Sequence, residues 1–175
     1  MRKATSAARW AALFLVMTLL VGEPAAAQSG SAGAGSNAIA VAVEGAVQNP
    51  LHLTAEDIEG MPAEHVNASY VTGHGQEKGD YEGVLLWTLL DRAQLTQEPR
   101  RRDHLRETVT VTGRDGYAVI FSIGELDPDF EGKSVILAYQ RNDQPLPTAE
   151  GLRLVVPGDK HGGRYVRDVV RIEVK

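Results

Sequence analysis

The chain predicts an α+β domain in which short strands outnumber short helices. Three observations predict it. Brief runs of apolar or alternating residues recur along the chain, as at Thr108–Thr112 and Val170–Lys175. Helical signals are few and are cut short by glycine or proline, and no internal repeat at solenoid periods is present. A tail of about 138 residues, from Ala38 to Lys175, has the size of one ordinary domain.

The elements follow in order. Ile39–Val43 is a short apolar run that suits a strand, ended by Glu44 and Gly45. Thr54 with Asp57 forms a capping box, and Gly60 and Pro62 keep the helix it opens short. His65–Thr72 reads as a strand, and the polar, glycine-rich stretch Gly73–Gly79 reads as a loop. Val84–Ala93 is the strongest helix, with leucines over most of its circumference, which predicts packing on more than one side. Glu98–Arg106 is a charged connection. Its Arg100, Arg101 and Arg102 are neutralised locally by Glu98, Asp103 and Glu107, which favours a solvated loop. Thr108–Thr112 and Tyr117–Phe121 flank a Gly113–Gly116 turn as a hairpin. Ser122 and Glu125 make a second capping box, whose helical turn stops near Pro128. Ser134–Tyr139 and Leu152–Val156 are apolar strands, with a turn at Arg141–Gln144. Val170, Ile172 and Val174 alternate with polar residues in a half-exposed closing strand.

Ahead of this domain, residues 1–27 have the order of a secretory signal peptide. Arg2, Lys3 and Arg9 precede the apolar run Trp10–Val21, and Ala25, Ala26 and Ala27 offer a processing site before Gln28. Twelve apolar residues are too few to cross a bilayer, where about 20 are needed. The sequence therefore predicts a periplasmic or secreted protein with no membrane span after processing. Residues 28–37 are Ser, Gly and Ala for the most part and read as a flexible linker to the 38–175 domain. Processing removes three basic residues and one acidic one. The totals of 18 and 23 become 15 and 22, for a net charge of −7. An acidic chain disfavours general nucleic-acid binding and anionic membrane surfaces. With no cysteine, disulfides, thiolate metal ligands and cysteine nucleophiles are all excluded.

Chemistry-bearing motifs are sparse. The five histidines, His52, His65, His74, His104 and His161, include no i, i+4 pair, and there is no HExxH or G-x-S-x-G. The segment Glu125–Glu131 lacks the spacing of a calcium loop, and no metal site is predicted. Pro157–Arg167 stands out, because Gly158, Gly162 and Gly163 accompany Lys160, His161, Arg164 and Arg167. Glycines let backbone N–H groups approach a ligand, and cations in an acidic domain suit a phosphate or another anion. The alternative is a long loop whose cations pair with local acids such as Asp159 and Asp168.

Taken together, Val43–Leu51 with Leu53–Asp57, Tyr81–Leu90, Ala138–Pro147, and Gly151–Gly158 with Gly163–Arg167 and Val170–Val174 resemble the molybdopterin-binding domain of the sulfite oxidase family. The resemblance spans about residues 39–175. It implies that the Pro157–Gly158 loop and its basic residues hold the pterin and its phosphate. Arg153, Lys160, His161, Arg164 and Arg167 are then cofactor-binding positions. It also implies a molybdenum-ligating cysteine after the strand that precedes the Tyr81–Leu90 motif. That region here reads Tyr70–Gln76, with Thr72 or His74 nearest the missing thiolate. A hydroxyl or an imidazole is a poor replacement for a soft anionic sulfur on a high-valent metal. No catalytic residue is assigned. Two readings follow: an exported oxidoreductase domain holding a molybdenum–pterin cofactor, or a non-catalytic binding module for an anionic small molecule or a periplasmic protein partner.

Overall fold

A computed structural model describes residues 40–96 and 103–175. The predicted signal peptide, the linker and the Arg100–Arg102 cluster lie outside the described residues.

The predicted α+β class is what the structure shows: the described residues form ten strands in two sheets with three short helices. The first sheet orders its strands β2-β1-β10-β5-β6. β1 is Val41–Gly45, β2 Leu51–Leu53, β5 Thr108–Gly113, β6 Ala118–Ser122 and β10 Val169–Val174. The first and last strands of the domain pair in parallel, Val43 opposite Ile172, and the other pairs are antiparallel. β1 runs on through Glu44 and Gly45, which sequence had placed after its end. The parallel register continues to Gly45 opposite Val174, and only glycine fits there. Its φ is +94°, and an added Cβ would lie 2.1 Å from the Val174 carbonyl oxygen.

The second sheet is antiparallel and orders β3-β4-β7-β8, with β9 also on β7. β3 is Glu64–Thr72, β4 Gly75–Leu85, β7 Ile136–Arg141, β8 Gln144–Pro145 and β9 Arg153–Val155. Two sequence expectations are corrected here. Gly73–Gly79 is not a loop: only Gly73 and His74 make the turn, and β4 pairs with β3 from Gly75 opposite Thr72 to Gly83 opposite Glu64. The inward row Val66, Ala68 and Tyr70 needs a partner strand to close its backbone hydrogen bonds. The peptide groups of β4 meet that need, while its polar side chains stay on the outer face. Val84 and Leu85 likewise belong to β4, opposite Leu137 and Ile136. The helix α2 is therefore shorter, Leu86–Ala93, and buries a single stripe of Leu86, Leu89, Leu90 and Ala93. Its packing is one-sided because the two residues that filled the other side are strand residues.

Both capping boxes are present. The helix α1, Ala55–Glu59, starts with the Asp57 N–H donating to Thr54 Oγ1 at 3.1 Å and the Thr54 N–H donating to Asp57 Oδ2 at 2.8 Å. The helix α3, Ile123–Leu126, has the Ser122 N–H donating to Glu125 Oε2 at 3.2 Å and gives way before Pro128. The β7–β8 turn holds Asn142 and Asp143 at φ of 52° and 58°, the left-handed pair that a two-residue hairpin requires. Inward rows of the two sheets, α1, α2 and α3 share one buried apolar cluster. Among the described residues, no helix is long and apolar enough to cross a membrane.

Candidate functional site

After β9 the chain turns at Pro157–Asp159, then lays Lys160 and His161 beside the end of β3. The Val71 N–H donates to the Lys160 carbonyl at 2.9 Å, and Val71 bridges His161 in parallel. Gly162–Arg164 form a 3-10 turn that leads into Tyr165 and β10. Between the two segments lies an open cleft of about 350 Å³, lined by Val71, Thr72, Gly73, His161, Gly162 and Gly163. Such a volume is at the small end of ligand sites.

Three fastenings hold this loop. The Val71 bond is the first. Tyr117, from the β5–β6 turn, donates its hydroxyl to the Gly163 carbonyl at 2.6 Å. Arg164 supplies the third: its Nε and Nη2 donate to both oxygens of Asp159 at 2.8 and 2.7 Å, and Nη1 donates to Glu125 at 3.0 Å. Its guanidinium also lies 5.0 Å above the centre of the Phe121 ring. Hydrogen bonding from Arg164 holds the Asp159 carboxyl below its ordinary value, and Lys133, at 3.4 Å, adds to the effect. Asp159 in turn raises the Arg164 guanidinium. For Arg164 the local-acid alternative is thus the observed arrangement. Asp168, the other acid considered, pairs with Arg114 at 2.7 Å instead.

Beneath the loop sits a polar core that sequence reasoning missed. Arg153 is only 2% exposed. It donates to the Tyr70 hydroxyl at 2.8 Å and to Glu150 at 3.2 Å, and it pairs with Glu77 at 3.6 Å. Its Nε is buried without a hydrogen-bond partner. Tyr70 shares its hydroxyl with Glu77 at 3.0 Å and Tyr81 at 3.2 Å, and its ring stacks on Tyr165 with centroids 3.8 Å apart. Burial, with the bond to Tyr81, lifts the Tyr70 phenol far above its ordinary value. Tyr165 is pushed up to about 12 by burial and by Asp159. Gly162 rests on this stack: a Cβ there would stand 3.1 Å from Tyr70 and 3.3 Å from Thr72, so a side chain would need these neighbours to give by a few tenths of an ångström.

The positions expected from sequence therefore divide into two groups. Thr72 and His161 line the cleft; His74 is exposed on the adjoining turn, and Lys160 is exposed beside His161. Arg153 and Arg164 face carboxylates rather than open space. Arg167 is exposed past the loop, and neither it nor Lys160 enters an ion pair among the described residues. The inward position of Tyr70 was readable from the alternation of Val66, Ala68 and Tyr70. Glu77 carried no signal, because only the fold brings it to Arg153; Glu150 stands three residues from Arg153 and was legible as a local acid.

A molybdenum centre does not fit these residues. The chain contains no thiolate. The Thr72 hydroxyl is already engaged, donating to the Gly75 carbonyl at 3.1 Å and accepting from the His74 N–H at 3.1 Å. Among the described residues, no three His, Asp or Glu side chains cluster to hold a metal.

The sequence model of the family described as oxidoreductase molybdopterin binding domain matches residues 34–175. No curated protein matches the chain significantly. Among solved structures, the crystal structure of the sulfane dehydrogenase SoxCD from Paracoccus pantotrophus is similar, with a TM-score of 0.63 at 22% identity. The alignment covers 77% of this chain and 37% of that one, so the chain spans little more than a third of that protein. At this identity the likeness is one of fold.

Proposed function

The chain belongs to the oxidoreductase molybdopterin-binding domain family, with the fold of the sulfite oxidase class, and on that premise we propose that it is an exported binding module for a small anionic molecule. The ligand sits in the Val71–Gly73/His161–Gly163 cleft, beside the Lys160 ammonium. The observation that carries this reading is the split between the cations. Arg153 and Arg164 are paired with the protein's own carboxylates, whereas Lys160, the residue before the cleft-lining His161, is exposed and unpaired among the described residues. Molybdenum redox chemistry has no support in the donor set, since neither Thr72 nor His74 offers an anionic sulfur. Family membership makes a metal-free pterin phosphate the first ligand to test, ahead of simple phosphate esters and carboxylates.

Thermal unfolding in the presence of each ligand tests the proposal. A ligand that binds only the folded state at one hundred times its Kd stabilises it by about 2.7 kcal/mol, a rise of several degrees. Lys160→Ala removes that rise while leaving the ligand-free midpoint nearly unchanged. Equal responses from the two proteins, or no response to any anion, reject the cleft as the site.

Export rests on residues 1–27. N-terminal sequencing of the protein recovered from its producing cells should begin at Gln28. An intact Met1 in the recovered protein contradicts processing.

A further inference from the structure

Sheet edges are hazards that folded proteins usually blunt by shortness, proline, bulges or charge. Here β2 has three residues, β8 has two and ends in Pro145, and the Ser122 N–H of β6 is occupied by Glu125. β3 is different. It is nine residues long and lies at the end of its sheet, with an unbroken register and neither proline nor lysine.

Its outward peptide groups can be identified. In an antiparallel pair, alternate residues turn both N–H and C=O towards the same neighbour. Val71 faces outward, since its N–H reaches the Lys160 carbonyl. Asp80 faces the β7 side, accepting from the Asn142 N–H and donating its own N–H to the Asn142 side chain. Asn67, opposite Asp80, must then face away from β4. His65, Asn67 and Ser69 therefore present their N–H and C=O groups along an edge that is unpaired among the described residues. Charge along this edge is polarised. Glu64 and Glu82 stand at its start, Asp80 lies opposite Asn67 at its middle, and at its end Lys78, opposite Ser69, and Lys160, beside Val71, outnumber Glu77, opposite Tyr70.

We propose that the β3 edge is a homodimer interface, in which β3 of a second copy adds antiparallel about a two-fold axis at Asn67. The pairing is self-complementary in register. His65 meets Ser69 of the second copy, Asn67 meets Asn67, and Ser69 meets His65, each a narrow pair with both backbone hydrogen bonds formed. It is self-complementary in charge as well, because an antiparallel copy sets the acidic end of one strand against the basic end of the other. The two sheets become one continuous sheet across the axis.

Sedimentation equilibrium of the purified full chain tests this, with loadings up to about 1 mM, the weak end of specific association. The wild-type mass should climb towards twice the monomer value and fall back as salt rises. Asn67→Pro removes an outward N–H that β4 does not use, and Asn67→Asp, beside Asp80, gathers four carboxylates at the axis; both should remain monomeric. Ile120→Lys on the β6 edge should dimerise like the wild type. Circular dichroism reports whether each variant folds, and Asn67→Asp decides the matter if Asn67→Pro does not. A monomeric wild type throughout, or a dimer that survives the Asn67 substitutions, overturns the proposal.

Discussion

Arg153 on β9 and Lys160 on the connection that follows it stand seven residues apart and have opposite surroundings. Arg153 is 2% exposed and meets Tyr70, Glu77 and Glu150. Lys160 is exposed, one residue before the cleft-lining His161, and meets no acid among the described residues. The same charge thus serves as an internal brace at one position and, in the function proposed above, as a ligand contact at the other. What separates them is whether the fold supplies a carboxylate.

The largest effect should follow from breaking the brace. Arg153→Met leaves Glu77 and Glu150 facing a buried apolar side chain, and urea denaturation should report a loss of about 3–5 kcal/mol. Next comes the latch at Arg164, which is less buried. Arg164→Ala should cost about 1–3 kcal/mol by the same measurement, through the charged hydrogen bonds to Asp159 and Glu125. Acid should weaken the same latch. Asp159 has a folded value below its ordinary 3.8, so its contribution is complete above that value and disappears as pH falls from 3.8 through the lower folded value. Arg164→Ala should therefore flatten the pH dependence of the unfolding midpoint in that window. Smallest is Lys160→Ala, which should change ligand-free stability by no more than about 0.5 kcal/mol. Its effect belongs to anion binding alone, and a large stability loss would place Lys160 with the brace.

Much of the frame was legible in the sequence because local rules decided it. The capping boxes at Thr54 and Ser122, the β5–β6 hairpin and the alternation of β10 all depend on neighbours within a few residues. β4 was hidden because its first half is glycine-rich and polar, and its strand character comes from β3 rather than from its own composition. The helix start at Leu86 was hidden for a related reason: Val84 and Leu85 suit a strand and a helix equally by pattern. At the site, the glycines and cations of the Gly158–Arg167 segment were visible. The Glu77 carboxylate that meets Arg153 was not, since it arrives from a strand 76 residues earlier in the chain.

Family membership and donor chemistry point in different directions on one matter, and a single assay addresses it. Molybdenum and pterin should be quantified in protein purified from its own cells grown with molybdate. The account predicts molybdenum well below one atom per chain, with any pterin released only in metal-free form. Stoichiometric molybdenum together with pterin, retained through purification, would contradict the claim that a chain without a thiolate works as a binding module.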